Sequence, residues 1–322
     1  MQKPFRPGIG TPGRTAAGRS LYTEALNPFF GYFYTVRRSL VKTKTRFQDL
    51  ELIDTDEFGK VLLLDSITQV AEKNDCWYHE PMVHPALCSH PRPETVLVIG
   101  GGDGGIIREV LKYPCVKNVE LVELDDKVIE FSRRHLKKVH CGAFADPRLR
   151  ITIEDGRRYV AEHPRAFDIV IMDMTDPSGP SRLLYTKEFF GLVKRAFKNS
   201  RGIFVMHTES PLSRPATFSC IQKTLRASFA RVTPFYVYIQ MYAMLWSISL
   251  CSETDCSRLT PAAIDKKLAR YGVKGLKVYN GETHGAMKTV YPAVATLLKK
   301  PARIITDARP EFPDDFISKH SN

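Results

Sequence analysis

Hydrophobic and polar residues alternate along 33–71 in four short pieces, FYTVRRSLVK, RFQDLELID, KVLLLD and ITQVA, separated by the turn signals DEFGK and LDS. That period of two predicts a small antiparallel sheet with one covered face. After Asn74 the character changes, and CWYHEPMVHPALCSHPRP reads as a helix running into a proline-rich link. Strand and helix patterns then take turns. VLVIG (96–100) is a continuous apolar run, as a strand buried on both faces requires. A helix over 105–113 follows, then the strand NVELVEL (118–124), then a helix from Lys127 that turns Val128, Phe131, Leu136 and Val139 inward. The strands RLRITIE (148–154) and FDIVIMD (167–173), the helix TKEFFGLVKRAF (186–197) and the strand GIFVMH (202–207) continue the series. A helix near 215–229 leads to two closing strands, PFYVYI and LWSISLC, and the chain beyond 258 reads as helices and short pieces. Alternation of this kind defines an α/β fold: a Rossmann-like, doubly wound parallel sheet preceded by a small antiparallel β domain. The expected divisions are a loose basic arm (1–20), the β domain (21–75), the larger Rossmann-like domain (76–300) and a tail (301–322).

Composition narrows the class. Hydrophobic residues make up 43% of the 322 and charged residues 25%, which suits a globular chain and not a disordered one. No apolar run approaches the roughly 18 residues that span a bilayer. The first twenty residues have no apolar stretch to serve as a signal peptide, so a cytoplasmic protein is expected. Seven scattered cysteines (76, 88, 115, 141, 220, 251 and 256) form no CxxC pair, which favours reduced thiols over disulfides or zinc. The net charge of +12 raises the question of nucleic acid. The basic residues are dispersed, however, and lie in no nucleic-acid-reading motif, so a solvated basic exterior is the expectation.

The chemistry gathers at strand ends. In VLVIGGGDGGIIREVL, Gly100, Gly102 and Gly105 form GxGxxG between a strand and a helix, and Glu123 closes the next strand about twenty residues on, placed to take both ribose hydroxyls. This loop also carries Asp103. A carboxylate where a diphosphate would lie costs about 1–4 kcal/mol of repulsion at ~4 Å in an effective dielectric of 80 to 20, so the loop favours a cationic, sulfonium nucleoside over a dinucleotide. Strand FDIVIMD ends in Asp173, and Met174-Thr175-Asp176-Pro177-Ser178-Gly179-Pro180 follows, while Asp155 and Gly156 end the intervening strand. Asp103, Glu123, Asp155, Asp173 and Asp176 are thus expected to face one crevice at the carboxyl ends of the strands. An acidic pocket in a basic chain implies a cationic substrate. A helix cap or turn former is the plainer reading for Asp126 and Asp146, and no histidine cluster supports a metal.

Taken together these blocks resemble the spermidine synthase family of aminopropyltransferases, from Arg46 to about Ser252. RFQDLELID is similar to the family's S-x-Y-Q-D segment, with Phe47 in the tyrosine's place, and LLLDSITQVAEKNDCWYHE to its L-D-G-x-x-Q…Y-H-E block. GGGDGG, VELVELD, EDG and DMTDPSGP follow in order. The resemblance implies a methyltransferase-type Rossmann fold and transfer of an aminopropyl group from decarboxylated S-adenosylmethionine, a co-substrate, with no cofactor or metal. It assigns the nucleoside to Gln48, Gly100, Gly102, Asp103, Glu123, Asp155, Gly156 and Pro180. It assigns the amines to Gln69, Tyr78, His79, Asp103, Asp173, Asp176 and Tyr242, with Asp173 as proton acceptor. It also implies a homodimer or homotetramer built through the small sheet, with neither nucleic acid nor membrane as partner.

Departures bear on the acceptor. The family's glutamine before T-E-S is His207 here, and its I-P-T-Y-P-S-G-L-W loop is IQMYAMLW, one residue shorter and without prolines. The segments HPALCSHP, LYTKEFF and KTVYPAVATLLKK…RIITD resemble the thermospermine synthase branch, whereas Asp103 and Gly105 follow the spermidine synthase form. Putrescine is the expected acceptor. A triamine, agmatine or cadaverine remains open, because a looser loop with Met241, Ala243 and Met244 in the channel would suit a longer chain. The rival enzyme class is an amine methyltransferase using intact S-adenosylmethionine, whose carboxylate Asp103 would repel.

Overall fold

The computed structural model describes residues 13–14, 18–27, 30–177, 179–255 and 258–313. Most of the 1–20 arm and the end of the 301–322 tail lie outside them. Six strands, β1 (Gly13–Arg14), β2 (Ser20–Asn27), β3 (Phe30–Lys44), β4 (Asp49–Thr55), β5 (Gly59–Leu64) and β6 (Ile67–Ala71), form an antiparallel meander in chain order. Helix α1 (Cys76–Ser89) leads to the second sheet. The chain then runs through β7 (Thr95–Gly100), α2 (Gly105–Leu111), β8 (Asn118–Glu123), α3 (Asp126–His135), α4 (Lys137–His140), β9 (Leu149–Ile153), α5 (Gly156–Glu162) and β10 (Ile169–Asp173). Next come α6 (Lys187–Ala196), β11 (Ile203–His207), α7 (Pro215–Arg226), β12 (Arg231–Ile239) and β13 (Met244–Ser252). Three helices close the chain, α8 (Pro261–Arg270), α9 (Gly281–Met287) and α10 (Pro292–Lys299).

The second sheet has the order β12-β13-β11-β10-β7-β8-β9, parallel from β9 to β11 and antiparallel at β13 and β12. Val96, Leu97, Val98, Ile169, Val170 and Ile171 are wholly buried, because helices cover both faces of these central strands. On one face α1, α2 and α8 supply Met82, Val83, Ile106, Val110 and Ile264. On the other, α5, α6 and α7 supply Tyr159, Phe189, Phe190 and Ile221. Leu50, Leu52, Leu62 and Val70 of the first sheet pack against Val128, Phe131, Leu136 and Val139 and fix the two sheets to each other.

In the second sheet and its helices, two elements differ from the expected pattern. The helix from Lys127 breaks at Leu136, whose ψ of 39° ends α3 before α4 begins. The four apolar side chains still point inward across the break. Helix α5 was not expected, since only Tyr159 and Val160 of its seven residues are buried, too few to show a period. The parallel β9–β8–β7–β10 arrangement nevertheless needs a crossover there.

Topology fixes the site. From β7 the chain crosses to β8 on one side, while β10 pairs on the other, so the carboxyl ends of β7 and β10 border the switch point where such sheets bind ligands. Asp173 lies opposite Gly100 in register, and Gly101 N–H donates to the Asp173 carbonyl at 3.0 Å. A side chain on Gly100 would put Cβ 2.1 Å from that carbonyl, and the residue also has φ +76°. On α1, the buried Glu80 carboxylate accepts the backbone N–H groups of Lys277, Val278 and Tyr279, each at 2.8 Å, and so anchors the segment between α8 and α9. Glu80→Ala should lower stability by about 3–5 kcal/mol by leaving buried N–H groups unpaired; urea unfolding checks this, and a loss below ~1 kcal/mol would mean the anchor is dispensable.

Candidate active site

A cavity of about 410 Å³ lies over the carboxyl ends of β7, β8 and β10, with β2, β5 and β6 as its far wall. Gln48, Gln69, Tyr78, Gly100, Gly102, Asp103, Glu123, Asp173, Asp176 and Tyr242 all line it. His79, Asp155 and Gly156 do not. Asp155 is exposed and caps α5, accepting from Arg158 N at 2.8 Å, and Gly156 leaves room for Ile99 beneath it. Only the backbone of Pro180 is described, in a short 3₁₀ turn, and its side chain lies outside the described residues.

The centre of the cavity is built by α1 and the glycine loop. Tyr78 Oη donates to Asp173 Oδ1 at 2.7 Å. Burial and the neighbouring Asp173 charge hold the phenol far above its ordinary range, so it stays a donor. Asp103 Oδ1 accepts from Gly105 N at 2.6 Å and lies 3.6 Å from His79 Nε2. The other ring nitrogen of His79 meets Asp75 Oδ2 at 3.1 Å, and Arg108 Nη1 holds that same oxygen at 2.6 Å. Gly105 cannot carry a side chain here, because its Cβ would sit 2.1 Å from the His79 ring.

Charge follows from these contacts. Burial works against a charged His79, but the Asp103 and Asp75 carboxylates outweigh it and hold the imidazolium up to about 10. Burial likewise works against Asp103, yet His79 and the Gly105 N–H keep its carboxyl below the usual range. Asp173 has no such partner. Burial and the Asp103 charge push it up to about 6, against the opposing pull of His79 and Tyr78. His79 itself is buried and does not line the cavity; its Nε2 faces Asp103, so it lies behind that carboxylate.

At the β8 end of the cavity, Glu123 Oε1 accepts Leu124 N at 2.8 Å and Asp125 N at 3.1 Å. Burial chiefly pushes Glu123 up to about 7. A Cβ on Gly102 would come within 3.0 Å of its other oxygen, so the bare glycine keeps that oxygen approachable. Gln48 Nε2 donates to Asp125 Oδ2 at 3.1 Å, where Thr45 Oγ1 also donates at 2.7 Å. Gln69 Nε2 bonds the Ile67 carbonyl, and Tyr242 Oη donates to the Gln69 carbonyl at 2.7 Å.

Several lining residues were not anticipated: Glu24, Asp65, Asp125, Glu209, Arg214 and Trp246. Glu24 lies on β2, a strand the alternation did not reveal, and its burial raises its carboxyl despite the Thr68 N–H that it accepts. Asp125 follows Glu123 closely enough that the same strand end could have flagged it. The IQMYAMLW turn is not loose. Asn74 Nδ2 bonds Gln240 Oε1 at 3.0 Å, Tyr242 is tied to Gln69, and Met241 is buried in the core; Met244 lines the cavity, whereas Met241 and Ala243 do not.

Ligand atoms of His79, Asp103 and Asp173 lie within 4.8 Å of one another, close enough for a cation. A metal ligand needs a neutral imidazole with a free nitrogen, whereas both nitrogens of this ring already face carboxylates, Asp75 at 3.1 Å and Asp103 at 3.6 Å. The arrangement suits an ammonium group held between Asp103 and Asp173.

This is a nucleoside-type crevice turned acidic, the site of an enzyme acting on cationic substrates. Residues 75–260 match the spermine/spermidine synthase domain, and residues 21–72 match the spermidine synthase tetramerisation domain. A polyamine aminopropyltransferase of Nitrosomonas europaea is 36% identical over 297 residues, covering 92% of this chain and 91% of the relative. One from Bacillus subtilis is 36% identical over 279 residues, covering 86% and 98%. Among solved structures, the spermidine synthase of Thermotoga maritima superposes with a TM-score of 0.80 at 32% identity, covering 89% of this chain and 96% of that one. A spermidine synthase in complex with the transition-state analogue AdoDATO gives 0.81 at the same identity and coverage. The chain belongs to the spermine/spermidine synthase family of polyamine aminopropyltransferases. Among the described residues no helix is long and apolar enough to cross a membrane.

The His79 pairing carries a stability signature. Its folded value near 10 lies above the ordinary 6.5, so the stabilisation is complete below pH 6.5 and drains away as pH rises toward 10. His79→Gln should therefore cost about 3–5 kcal/mol at pH 6, by leaving the buried Asp103 carboxylate without its cation while Asp75 keeps Arg108, and much less at pH 10. Unfolding curves at the two pH values test this; equal losses would show that His79 is not charged in the folded protein.

Proposed function

We propose that the chain moves the aminopropyl group of decarboxylated S-adenosylmethionine onto putrescine, giving spermidine and methylthioadenosine. One observation carries the reading. Asp173 sits at the centre of the acidic cavity, its Oδ1 taken by Tyr78 at 2.7 Å, while Oδ2 has no hydrogen bond among the described residues. The reaction is a single displacement at the carbon bonded to the sulfonium. The amine nitrogen forms the new C–N bond, the C–S bond breaks, and the thioether leaves neutral, so no metal or cofactor is needed to stabilise a leaving group. Protonation is the obstacle. An alkyl amine with a pKa of about 10.4 is neutral to only about one part in 10³ at pH 7, which costs roughly 4–5 kcal/mol.

Asp173 supplies the proton acceptor. With a value near 6 it is largely ionised at pH 7 yet closer in basicity to its task than an ordinary carboxylate. The Tyr78 hydrogen bond fixes its orientation, and Asp103, kept ionised by His79, holds the donor's ammonium arm. Glu123, Gln48, Gly100 and Gly102 surround the space for the nucleoside, and Asp176, Gln69 and Tyr242 surround the acceptor. Asp155, Gly156 and Pro180 are assigned to the nucleoside as well, on the resemblance alone, since neither Asp155 nor Gly156 lines the cavity and the Pro180 side chain lies outside the described residues. Putrescine is preferred over a triamine because the β12–β13 turn is pinned and Met241 points into the core, which removes the extra room a longer amine would use. Matched to a tetramerisation domain, the small sheet serves homo-oligomer assembly, as dimer or tetramer, and the polyamine is the only partner invoked.

Asp173→Asn should keep methylthioadenosine affinity within about twofold and lose at least ~10³ in kcat, a loss of the size expected of a general base; unimpaired turnover would remove Asp173 from that role. In the intact enzyme kcat/KM should fall below pH ~6 as Asp173 takes up its proton, and a profile flat from pH 5 to 7 would exclude it as the titrating base. Acceptor identity is read by mass from a panel of putrescine, cadaverine, agmatine and spermidine. A kcat/KM for spermidine tenfold above that for putrescine would overturn the preferred acceptor. Tighter binding of intact S-adenosylmethionine than of its decarboxylated form would point to methyl transfer instead.

A further inference from the structure

The segment that follows Asp173 has no regular secondary structure, yet its backbone is held carbonyl by carbonyl. The Asp173 carbonyl accepts from Gly101 N. The next three carbonyls each accept from a side chain: Met174 from His207 Nε2 at 2.7 Å, Thr175 from Tyr185 Oη at 3.0 Å, and Asp176 from Ser181 Oγ at 2.8 Å. All three donors are buried, Tyr185 completely. Tyr185 Oη and His207 Nε2 also lie 3.0 Å apart.

These contacts settle where the protons are. A carbonyl can only accept, so the one phenolic proton of Tyr185 goes to Thr175. His207 must then carry its proton on Nε2, shared between the Met174 carbonyl and the Tyr185 oxygen. Burial lowers the histidine's affinity for a second proton, and its Nδ1 is a buried atom with no partner. The ring stacks on Trp246 at 5.6 Å, and Trp246 packs on Tyr242 at 5.5 Å. A glutamine amide in this place could turn a donor or an acceptor to the cavity. The imidazole, committed to Met174 and stacked on Trp246, has no proton to offer a substrate.

We infer that His207 and Tyr185 are positioning residues that set acceptor binding by clamping the 174–176 backbone, so that the Asp176 carboxylate is held at a fixed place relative to Asp173. The acceptor they serve is an alkyl polyamine. Its attacking nitrogen meets Asp173, and its spacing to the next cation is measured against Asp176. The inference rests on the reading above for its substrate, but not for the clamp itself. An amine whose second contact wanders loses orientation, and orientation supplies much of the rate of a two-substrate reaction.

The test uses the full-length protein with Tyr185→Phe, His207→Phe and His207→Gln. Phenylalanine keeps both stacks and removes only the donor. Tyr185→Phe and His207→Phe should raise the acceptor KM tenfold or more, with donor KM and methylthioadenosine Kd within twofold of wild type. His207→Gln, which restores an N–H, should bring the acceptor KM most of the way back. A role confined to stability would lower the melting temperature and leave the acceptor KM alone, and an unchanged acceptor KM in both phenylalanine variants overturns the inference. Should either variant fail to fold, Ser181→Ala removes the third donor, and its acceptor KM decides in the same way. If the wild-type enzyme transfers no aminopropyl group, the functional reading falls, and tryptic cleavage after Arg182 judges the clamp: faster cutting in the variants supports it, and equal rates overturn it.

Discussion

Carboxylates brought out of water repel one another, and this cavity gathers eight of them: Glu24, Asp65, Asp103, Glu123, Asp125, Asp173, Asp176 and Glu209. Much of the surrounding structure manages that repulsion. Asp103 is neutralised by a buried imidazolium, which Asp75 and Arg108 support from behind. Glu123, Asp125 and Glu24 lean on backbone N–H groups. Asp173 is left without a cation of its own, and burial, with the Asp103 charge beside it, raises its proton affinity. On the proposed function, a polycation entering the cavity would supply what is missing, and its binding and activation would both draw on this electrostatic environment.

The sequence exposed the parts of this arrangement that obey a local rule. GGGDGG had to be a turn between strand and helix, and Asp173 had to end a buried strand, because apolar runs and glycine spacing leave little choice. What it hid depends on distance through space. Nothing local says that His79, on a helix 24 residues before Asp103, will bury its ring against Gly105 between two carboxylates that raise its proton affinity. Asp155 shows the opposite failure: it ends a strand as the others do, but its first turn of helix claims the side chain as a cap. Glu24 was invisible because β2 carries no clean alternation and owes its place to pairing with β3.

The shortened β12–β13 turn illustrates how composition can mislead. Fewer prolines suggest freedom in an isolated peptide. Here Ala243 adopts φ +50° and side chains from Asn74 and Tyr242 fasten the turn to the first sheet. Tertiary contacts replace the rigidity that the covalent ring would have given. The same logic applies to the segment after Asp173, where three donors from other elements do the work of a regular hydrogen-bond ladder.

Glu24, Leu62, Leu64 and Gln69 place one wall of the cavity on the small sheet, while the opposing wall belongs to the strands of the second. The two matched segments, 21–72 and 75–260, therefore share a reaction chamber and are not interchangeable cassettes. Grafting either half onto a foreign partner would open the chamber to bulk solvent, where carboxylates relax to ordinary acidity and the burial and neighbouring charge that raise Asp173 are lost. A change of charge on one wall therefore acts on the carboxylates of the other, and the two halves are expected to tolerate exchange between relatives only as a matched pair.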